Sequence, residues 1–273
     1  MADADKSISA NPTTLLLHYQ LINDNVSITS MQINRALSMA IESFGDNPKK
    51  ASVKAGKRSQ RIVDELRREI VLGLLPPEET LLELELAKRF ECSQSTVRES
   101  LLALHEEGLV VRFPNRGTVV AECLRDDMIE LIRLRHDIEC RGIDRVINRY
   151  DRLTHRALSA LVSQMVEAAH AADEYQLSLL DQQFHLRLYR EANLPSVNPI
   201  LHRCLIHNHR FKILNSERSS PLIVTAERHW PIVEALDSGD RQTAIDALSR
   251  HITTIVDFGP SILTSPTAGT HNP

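Results

Sequence analysis

Residues 92–101 read CSQSTVRESL, and this run has the features of a helix start. Ser93 is a residue type that caps helix N-termini, and Val97 and Leu101 then recur on one helical face. Gly108 stands where a glycine ends many helices. We therefore predict a helix that buries one apolar face and presents short polar side chains at its first turn.

The elements around this helix complete a small domain at residues 57–122. An earlier helix is predicted from an apolar face that comprises Ile62, Val63, Leu66 and Ile70. A second, short helix covers about Leu84–Phe90. Two β-branched runs at Leu109–Phe113 and Thr118–Ala121 then flank a turn, which predicts a hairpin. Three helices and a hairpin are the outline of a winged helix-turn-helix.

A helix-turn-helix places the start of its second helix in the major groove of DNA. The polar side of that start carries Gln94, Ser95, Thr96 and Arg98. Their amide, hydroxyl and guanidinium groups suit phosphates and base edges. The hairpin turn adds three more candidate DNA contacts, Asn115, Arg116 and Gly117. Because the net charge of the chain is −4, contact with DNA depends on locally placed cations such as these arginines. The alternative is that this is a solvated helix that binds nothing.

Residues 123–258 are predicted to be helical almost throughout. The predicted helices are Asp126–Tyr150, Thr154–Ala172, Asp173–Asn193, Asn198–Asn215, about Thr225–Ser238 and Asp240–Phe258. Because their connections are short, we predict a six-helix antiparallel bundle and a mainly α fold. Residues 1–56 form a partly disordered extension with a predicted helix at 30–44, and residues 259–273 are rich in Pro, Ser, Thr and Gly and are predicted to be disordered.

Composition excludes several function classes. No apolar run approaches the ~20 residues that a membrane helix needs, and the acidic N-terminus is unlike a signal peptide. The cytoplasm is therefore the expected location. The four cysteines lie far apart without CxxC spacing, which argues against a thiolate metal site and against a disulfide framework.

Four residues of the bundle have the types and the spacing of metal ligands. Asp181 and His185 are four residues apart and share a helix face. His229 and His251 lie ten residues before and twelve residues after Gly239, in the turn between the last two helices, so we expect them to face each other. One Asp and three His suit zinc, nickel or manganese, which predicts one divalent ion per chain. The alternative is that each histidine separately meets a core polar group or lies at the surface.

Three further runs complete a known pattern: LA at 86–87, LHEEGLV at 104–110 and RGTVV at 116–120. Together with residues 92–101, they resemble the head of the GntR superfamily of bacterial transcription regulators. The resemblance implies that the head binds a double-stranded DNA operator and that Arg98 keeps the family's strongest DNA-contact position. A homodimer on a pseudo-palindromic site is the expected form.

The bundle resembles the FCD domain, the ligand domain of the FadR subfamily. Residues 134–139, LRHDIE, are similar to the signature of its first helix. The places at which many members hold a metal are occupied by Asp181, His185, His229 and His251. The resemblance implies a small organic-acid effector that completes the coordination of the metal. Arg135 is the first choice for the guanidinium that binds its carboxylate, and Arg203 and Arg210 are alternatives.

These observations predict a ligand-responsive transcription regulator, a repressor by analogy with similar proteins, and not an enzyme. One alternative is a metal-dependent hydrolase, since three His and one Asp also describe catalytic zinc sites. Against it, no spare acidic base stands at motif spacing, and a DNA-binding head would be idle on an enzyme. The other alternative is a constitutive DNA-binding protein with a structural metal.

Overall fold

A computed structural model describes residues 48–114, 117–215, 221–254 and 262–263 of the chain. The predicted helix at 30–44, the wing residues Asn115 and Arg116, and nearly all of the tail lie outside the described residues. The chain divides into two compact units, Met1–Lys54 and Ala55–Pro273. All of the candidate site residues belong to the second unit.

The head of this unit has the predicted winged helix-turn-helix. Its elements are α1 (Pro48–Val71), β1 (Thr80–Leu81), α2 (Glu83–Arg89), α3 (Gln94–Glu106), β2 (Val110–Phe113) and β3 (Gly117–Val120). The strands form an antiparallel sheet in the order β1-β3-β2, in which Val120 pairs with Val110 and Val119 with Thr80. The strand β1 was not predicted, because two residues are too short to show an alternating pattern.

The first helix begins earlier than predicted. Residues 45–50, GDNPKK, have the composition of a linker, yet α1 starts at Pro48. Proline is favoured in the first turn of a helix, because its missing N–H would have no partner there and its φ is already helical. The lysines and the alanine that follow are good helix formers, so α1 includes residues 48–50 of this stretch.

The rest of the unit is a helical bundle, which confirms the mainly α fold. Its helices are α4 (Arg125–Ile147), α5 (Arg152–His170), α6 (Glu174–Arg190), α7 (Asn198–Asn215), α8 (Leu222–Glu227), α9 (Trp230–Ser238) and α10 (Arg241–Thr253). Asp151, Asp173 and Asp240 cap α5, α6 and α10, each accepting a backbone N–H three residues on. Among the described residues, no helix is both long and apolar enough to cross a membrane.

The predicted fifth helix of the bundle, Thr225–Ser238, is in fact two helices, α8 and α9. The break falls at Arg228 and His229, just before Pro231. Proline has no N–H to donate to the carbonyl four residues earlier, so α8 ends and α9 starts anew with Pro231 in its first turn. The break sets His229 at a helix N-terminus instead of a helix interior.

The head and the bundle each have an apolar core, and α7 contributes to both. Leu201 and Leu205 are buried in the bundle core. Ile206, the next residue, is fully buried in the head core. Tyr175 of α6 and Ile213 of α7 also pack against the head core. The head therefore rests directly on α7, as well as being joined to the bundle by the chain between β3 and α4.

Candidate functional site

The start of α3 has the structure that its sequence predicts. The backbone N–H of Thr96 donates to Ser93 Oγ at 3.3 Å, which caps the helix. Val97 and Leu101 are buried, while the side chains on the opposite face remain accessible. Arg98 is exposed, and its Nε donates to Glu83 Oε2 of α2 at 2.7 Å. This carboxylate holds the guanidinium at the surface of the head.

The remaining predicted DNA contacts have simple surroundings. Gln94 and Ser95 are exposed, and Thr96 is half-buried. Gly117 in the wing is exposed and has φ 83°, a left-handed conformation that favours glycine. These side chains and the wing glycine are open to a partner. Nothing of Asn115 and Arg116 is described.

The four predicted metal ligands are brought together in the bundle. They come from α6, from the break between α8 and α9, and from α10: Asp181, His185, His229 and His251. All four are buried, and their ligand atoms lie within 4.8 Å of one another. His185 Nε2 and His251 Nε2 are 3.1 Å apart. His229 Nε2 is 2.9 Å from Asp181 Oδ1 but lacks the alignment of a hydrogen bond.

Two of the imidazoles are oriented by their other ring nitrogen. His185 Nδ1 lies 2.6 Å from Glu139 Oε2, and His229 Nδ1 lies 3.0 Å from the carbonyl oxygen of Ala226. Since both partners only accept, Nδ1 of each ring donates a proton to them, and Nε2 is the atom of each ring that points to the other three candidate ligands. These Nε2 atoms face the Asp181 carboxylate and His251 Nε2, so four potential ligand atoms converge on one buried point, where a divalent cation would be coordinated by all of them. The donor set therefore fits a divalent metal.

Arg135 lies beside this centre, and only one of its three guanidinium nitrogens has a hydrogen-bond partner among the described residues. Its side chain is fully buried, and its Nε donates to Glu139 Oε1 at 2.6 Å. Glu139 thus links the guanidinium to His185. Both terminal nitrogens, Nη1 and Nη2, are buried without a hydrogen-bond partner in the described part of the chain. A fork of donors of this kind matches a carboxylate.

Two residues that complete the centre were not predicted. His209 of α7 donates through Nε2 to Asp181 Oδ2 at 2.8 Å, and Glu139 accepts from both His185 and Arg135. The histidine-rich character of α7 was visible in the sequence, but not which of its histidines faces Asp181. Glu139 stands four residues after Arg135, a spacing that indicates an ion pair on one helix face.

The carboxylates of the centre are ionised. Burial alone would raise the pKa of Glu139, but the nearby His185 and Arg135 outweigh it and lower this pKa to about 2. Burial would likewise raise the pKa of Asp181, yet its histidine partners, His209 foremost, hold it well below the usual range. Two negative charges are thus fixed inside the bundle.

Two of the imidazoles are neutral at pH 7. Burial lowers the pKa of His185 against the opposing effect of Glu139. The pKa of His251 is lowered well below its usual value by burial and then by the neighbouring histidines. Since only a neutral imidazole can bind a metal, both are in the ligating form.

The other two arginines considered for the effector lie on the head side of α7. Arg210 is fully buried and donates through Nη2 to the carbonyl oxygen of Ala121 at 2.6 Å and through Nη1 to that of Glu122 at 3.4 Å. The guanidinium of Arg203 lies against Gly108, the glycine that ends α3. Of the three candidates, Arg135 is thus the one beside the four candidate metal ligands.

A winged helix-turn-helix with an exposed polar helix start, resting on a helical bundle with a buried polar centre, defines a DNA-binding transcription regulator. The family model for bacterial regulatory proteins of the gntR family matches residues 58–120, and the FCD domain model matches residues 130–254, together more than two thirds of the chain. The chain belongs to the GntR family of transcription regulators and carries an FCD domain. It is a regulator and not an enzyme.

Similar proteins agree with this classification. The probable D-xylose utilization operon transcriptional repressor of Paenarthrobacter nicotinovorans is 27% identical over 71% of this chain and 85% of its own length. The HTH-type transcriptional repressor RspR of Escherichia coli (strain K12) is 26% identical over the same shares of the two chains. The structure of E. coli McbR/YncC has a TM-score of 0.62 at 18% identity, over 72% of this chain and 94% of its own, which shows a shared fold.

Proposed function

We propose that this protein is a repressor that a small carboxylate releases from DNA. It binds a pseudo-palindromic operator as a homodimer in the cytoplasm, and it holds one zinc, nickel or manganese ion per chain. Asp181, His185, His229 and His251 are the proposed ligands of the ion. Two of the relatives are named as transcriptional repressors, which supports this direction of regulation.

The observation that carries the proposal is the unsatisfied guanidinium of Arg135. A fully buried arginine whose two terminal nitrogens have no partner among the described residues is costly, because each N–H has lost its water. A carboxylate would accept from both nitrogens at once. The divalent ion would supply two more positive charges and a coordination position for a carboxylate oxygen.

The charge of the centre also favours a monocarboxylate. A divalent ion and Arg135 bring three positive charges, and the ionised Asp181 and Glu139 bring two negative ones. Among these four groups alone, one positive charge is left over, and an uncompensated buried charge is unfavourable. A single carboxylate neutralises it.

Contacts of α7 offer a route from this centre to the head. His209 contacts Asp181 on one side of the helix. On the other side, Arg210 donates to Ala121 and Glu122, at the start of the link to α4, and His207 Nε2 donates to the carbonyl oxygen of Glu107 at 2.9 Å. A ligand that moves α4 or α7 therefore changes how the head is held. We expect a coupling of ~1–3 kcal/mol between ligand binding and DNA binding.

The test is to titrate DNA affinity against the carboxylate that gives the largest thermal shift in a screen of organic acids. We expect the wild type to lose about tenfold or more in DNA affinity at saturating ligand, in keeping with such a coupling. Arg135→Lys keeps a charge beside Glu139 but removes the fork, so the ligand should bind weakly and DNA affinity should hardly change. Arg152→Ala, at an exposed position of α5, is the control.

A carboxylate that binds tightly without any change in DNA affinity would contradict the sensor role of the bundle. The protein would then be a constitutive DNA-binding protein with a structural metal. Equal ligand binding by wild type and Arg135→Lys would instead contradict the assignment of Arg135.

A further inference from the structure

One more polar side chain lies inside the bundle without a partner, that of Asn208 in α7. It is fully buried, and neither Oδ1 nor Nδ2 forms a hydrogen bond within the residues that the structure describes. Buried amide groups of native proteins are almost always paired, since an unpaired donor or acceptor has lost its water for nothing in return. Both ends of this amide are therefore available to a ligand.

The position of Asn208 on α7 directs it towards the candidate metal centre. Cys204, one turn earlier, is near enough to Arg135 and Glu139 for their charges to act on its thiol. His209, the next residue along, donates to Asp181. Residues four apart share a helix face, so Asn208 lies on the same face of α7 as Cys204, directly before the histidine that contacts Asp181. The head-facing residues Ile206 and Arg210 are on the opposite side of the helix.

We propose that Asn208 binds a hydroxyl group of the effector, so that the effector is a hydroxycarboxylate. This inference rests on the proposed function, in which Arg135 and the metal bind the carboxylate. An amide has a donor and an acceptor, and a hydroxyl group needs both. A second carboxylate would satisfy Nδ2 but would turn a negative charge towards Oδ1. An alkyl group would leave both amide atoms unpaired.

The experiment is calorimetry on the metal-loaded full chain with pairs of acids that differ by one hydroxyl group. The pairs are lactate and propionate, 3-hydroxybutyrate and butyrate, and glycolate and acetate. We expect the wild type to bind the hydroxylated member of at least one pair about tenfold more tightly or better, because its analogue leaves the amide unpaired.

The matched variant is Asn208→Leu, which removes the hydrogen-bonding groups at similar volume. We expect it to bind both members of that pair within about twofold of each other, at the affinity of the wild type for the member without the hydroxyl group. Asn208→Ala is the second variant if the leucine disturbs folding, and Asn148→Leu, at an exposed position at the end of α4, is the control. The metal content and the helix content of each variant should equal those of the wild type.

The outcomes separate the two proposals. Equal binding of the two members of every pair by the wild type, or a preference that both Asn208 variants keep, would overturn the role of Asn208 and leave the carboxylate sensor standing. If none of the six acids binds the wild type, the carboxylate sensor itself is contradicted, and the hydroxyl contact with it.

Discussion

The helices α3 and α7 are both rich in polar side chains, but they expose them very differently. At the start of α3, Gln94, Ser95 and Arg98 are open to water. In α7, the four consecutive polar residues 207–210 are all buried, two of them completely. The first helix presents its polar groups on the surface of the head, and the second holds them between the head and the bundle.

Because of this difference, substitutions of the exposed and of the buried polar residues should affect different properties, DNA affinity in the first case and the free energy of unfolding in the second. Water satisfies an exposed polar group, which can exchange that water for DNA with little effect on the fold. A buried polar group has to be satisfied by the protein or by a ligand, so its loss changes the free energy of unfolding. Variants at the exposed polar positions of α3 should therefore change DNA affinity alone, and variants of the buried polar residues around α7 and the candidate metal centre should change stability first.

The largest expected effect is the loss of the metal. His251→Ala removes a proposed ligand, and the purified variant should carry less than the one divalent ion per chain expected for wild type. At a metal concentration of about 1,000 times Kd, binding stabilises the folded state by about 4 kcal/mol, and losing it should lower Tm by roughly 10 °C. Metal analysis and thermal unfolding measure the two effects.

His170→Ala is the control for this prediction, because His170 is exposed at the end of α5. It should keep both the metal and the wild-type Tm. If wild type as purified holds no metal and shows no thermal shift with zinc, nickel or manganese, the four side chains form only a polar core. The polar residues of α3 would still be exposed and those of α7 still buried, but no ion would be bound beside α7.

The next largest effect concerns the exposed polar residues of α3. Arg98→Ala should weaken operator binding by ~1–3 kcal/mol if the guanidinium contacts a guanine, and should leave Tm unchanged because Arg98 is exposed. Fluorescence anisotropy with an operator fragment measures the affinity. Arg152→Ala makes the same change of charge on the bundle and should bind like wild type. Unchanged affinity of Arg98→Ala would mean that α3 does not contact the bases.

The fold could be predicted wherever the signal is local. The Ser93 cap, the apolar face of α3 and the glycine at 108 are neighbours in sequence, and the structure has the helix where they indicate it. β1 was missed because its two residues gain their pairing from β3, some forty residues later. The break in the fifth bundle helix depends on Pro231. The sequence shows that this proline removes a helical hydrogen bond, but not whether the helix bends there or ends there.

The candidate centre was predictable to the same degree. Asp181 and His185 are one turn apart, and His229 and His251 are placed by the turn between their helices, so spacing predicts two pairs, and the resemblance to the FCD domain implies that the pairs meet. Asn208 and His209 could not be assigned, because the side to which each of them points depends on the rotation of α7 about its own axis. That rotation places Leu205 in the bundle core and Ile206 in the head core, and both cores bring together distant parts of the sequence.

The smallest expected effect tests the head-facing side of α7 through His207. Burial lowers the pKa of His207 from 6.5 to about 4, although its hydrogen bond to the Glu107 carbonyl opposes this. Between these two pH values, the unfolded chain binds a proton that the folded protein does not. The free energy of unfolding therefore falls as the pH falls from 6.5 towards 4.

His207→Gln keeps a donor for the Glu107 carbonyl and removes the titration. Between pH 7 and pH 5 the variant should lose about 2 kcal/mol less stability than wild type, as a pKa shift of this size implies. Urea unfolding at the two pH values measures the difference, and His170→Gln, at an exposed histidine, should follow wild type. Parallel losses in wild type and in His207→Gln would mean that His207 reaches water in solution. The head would then be held on α7 more loosely than its buried polar contacts indicate. The head-facing polar residues of α7 would then be accessible to water, as those at the start of α3 are.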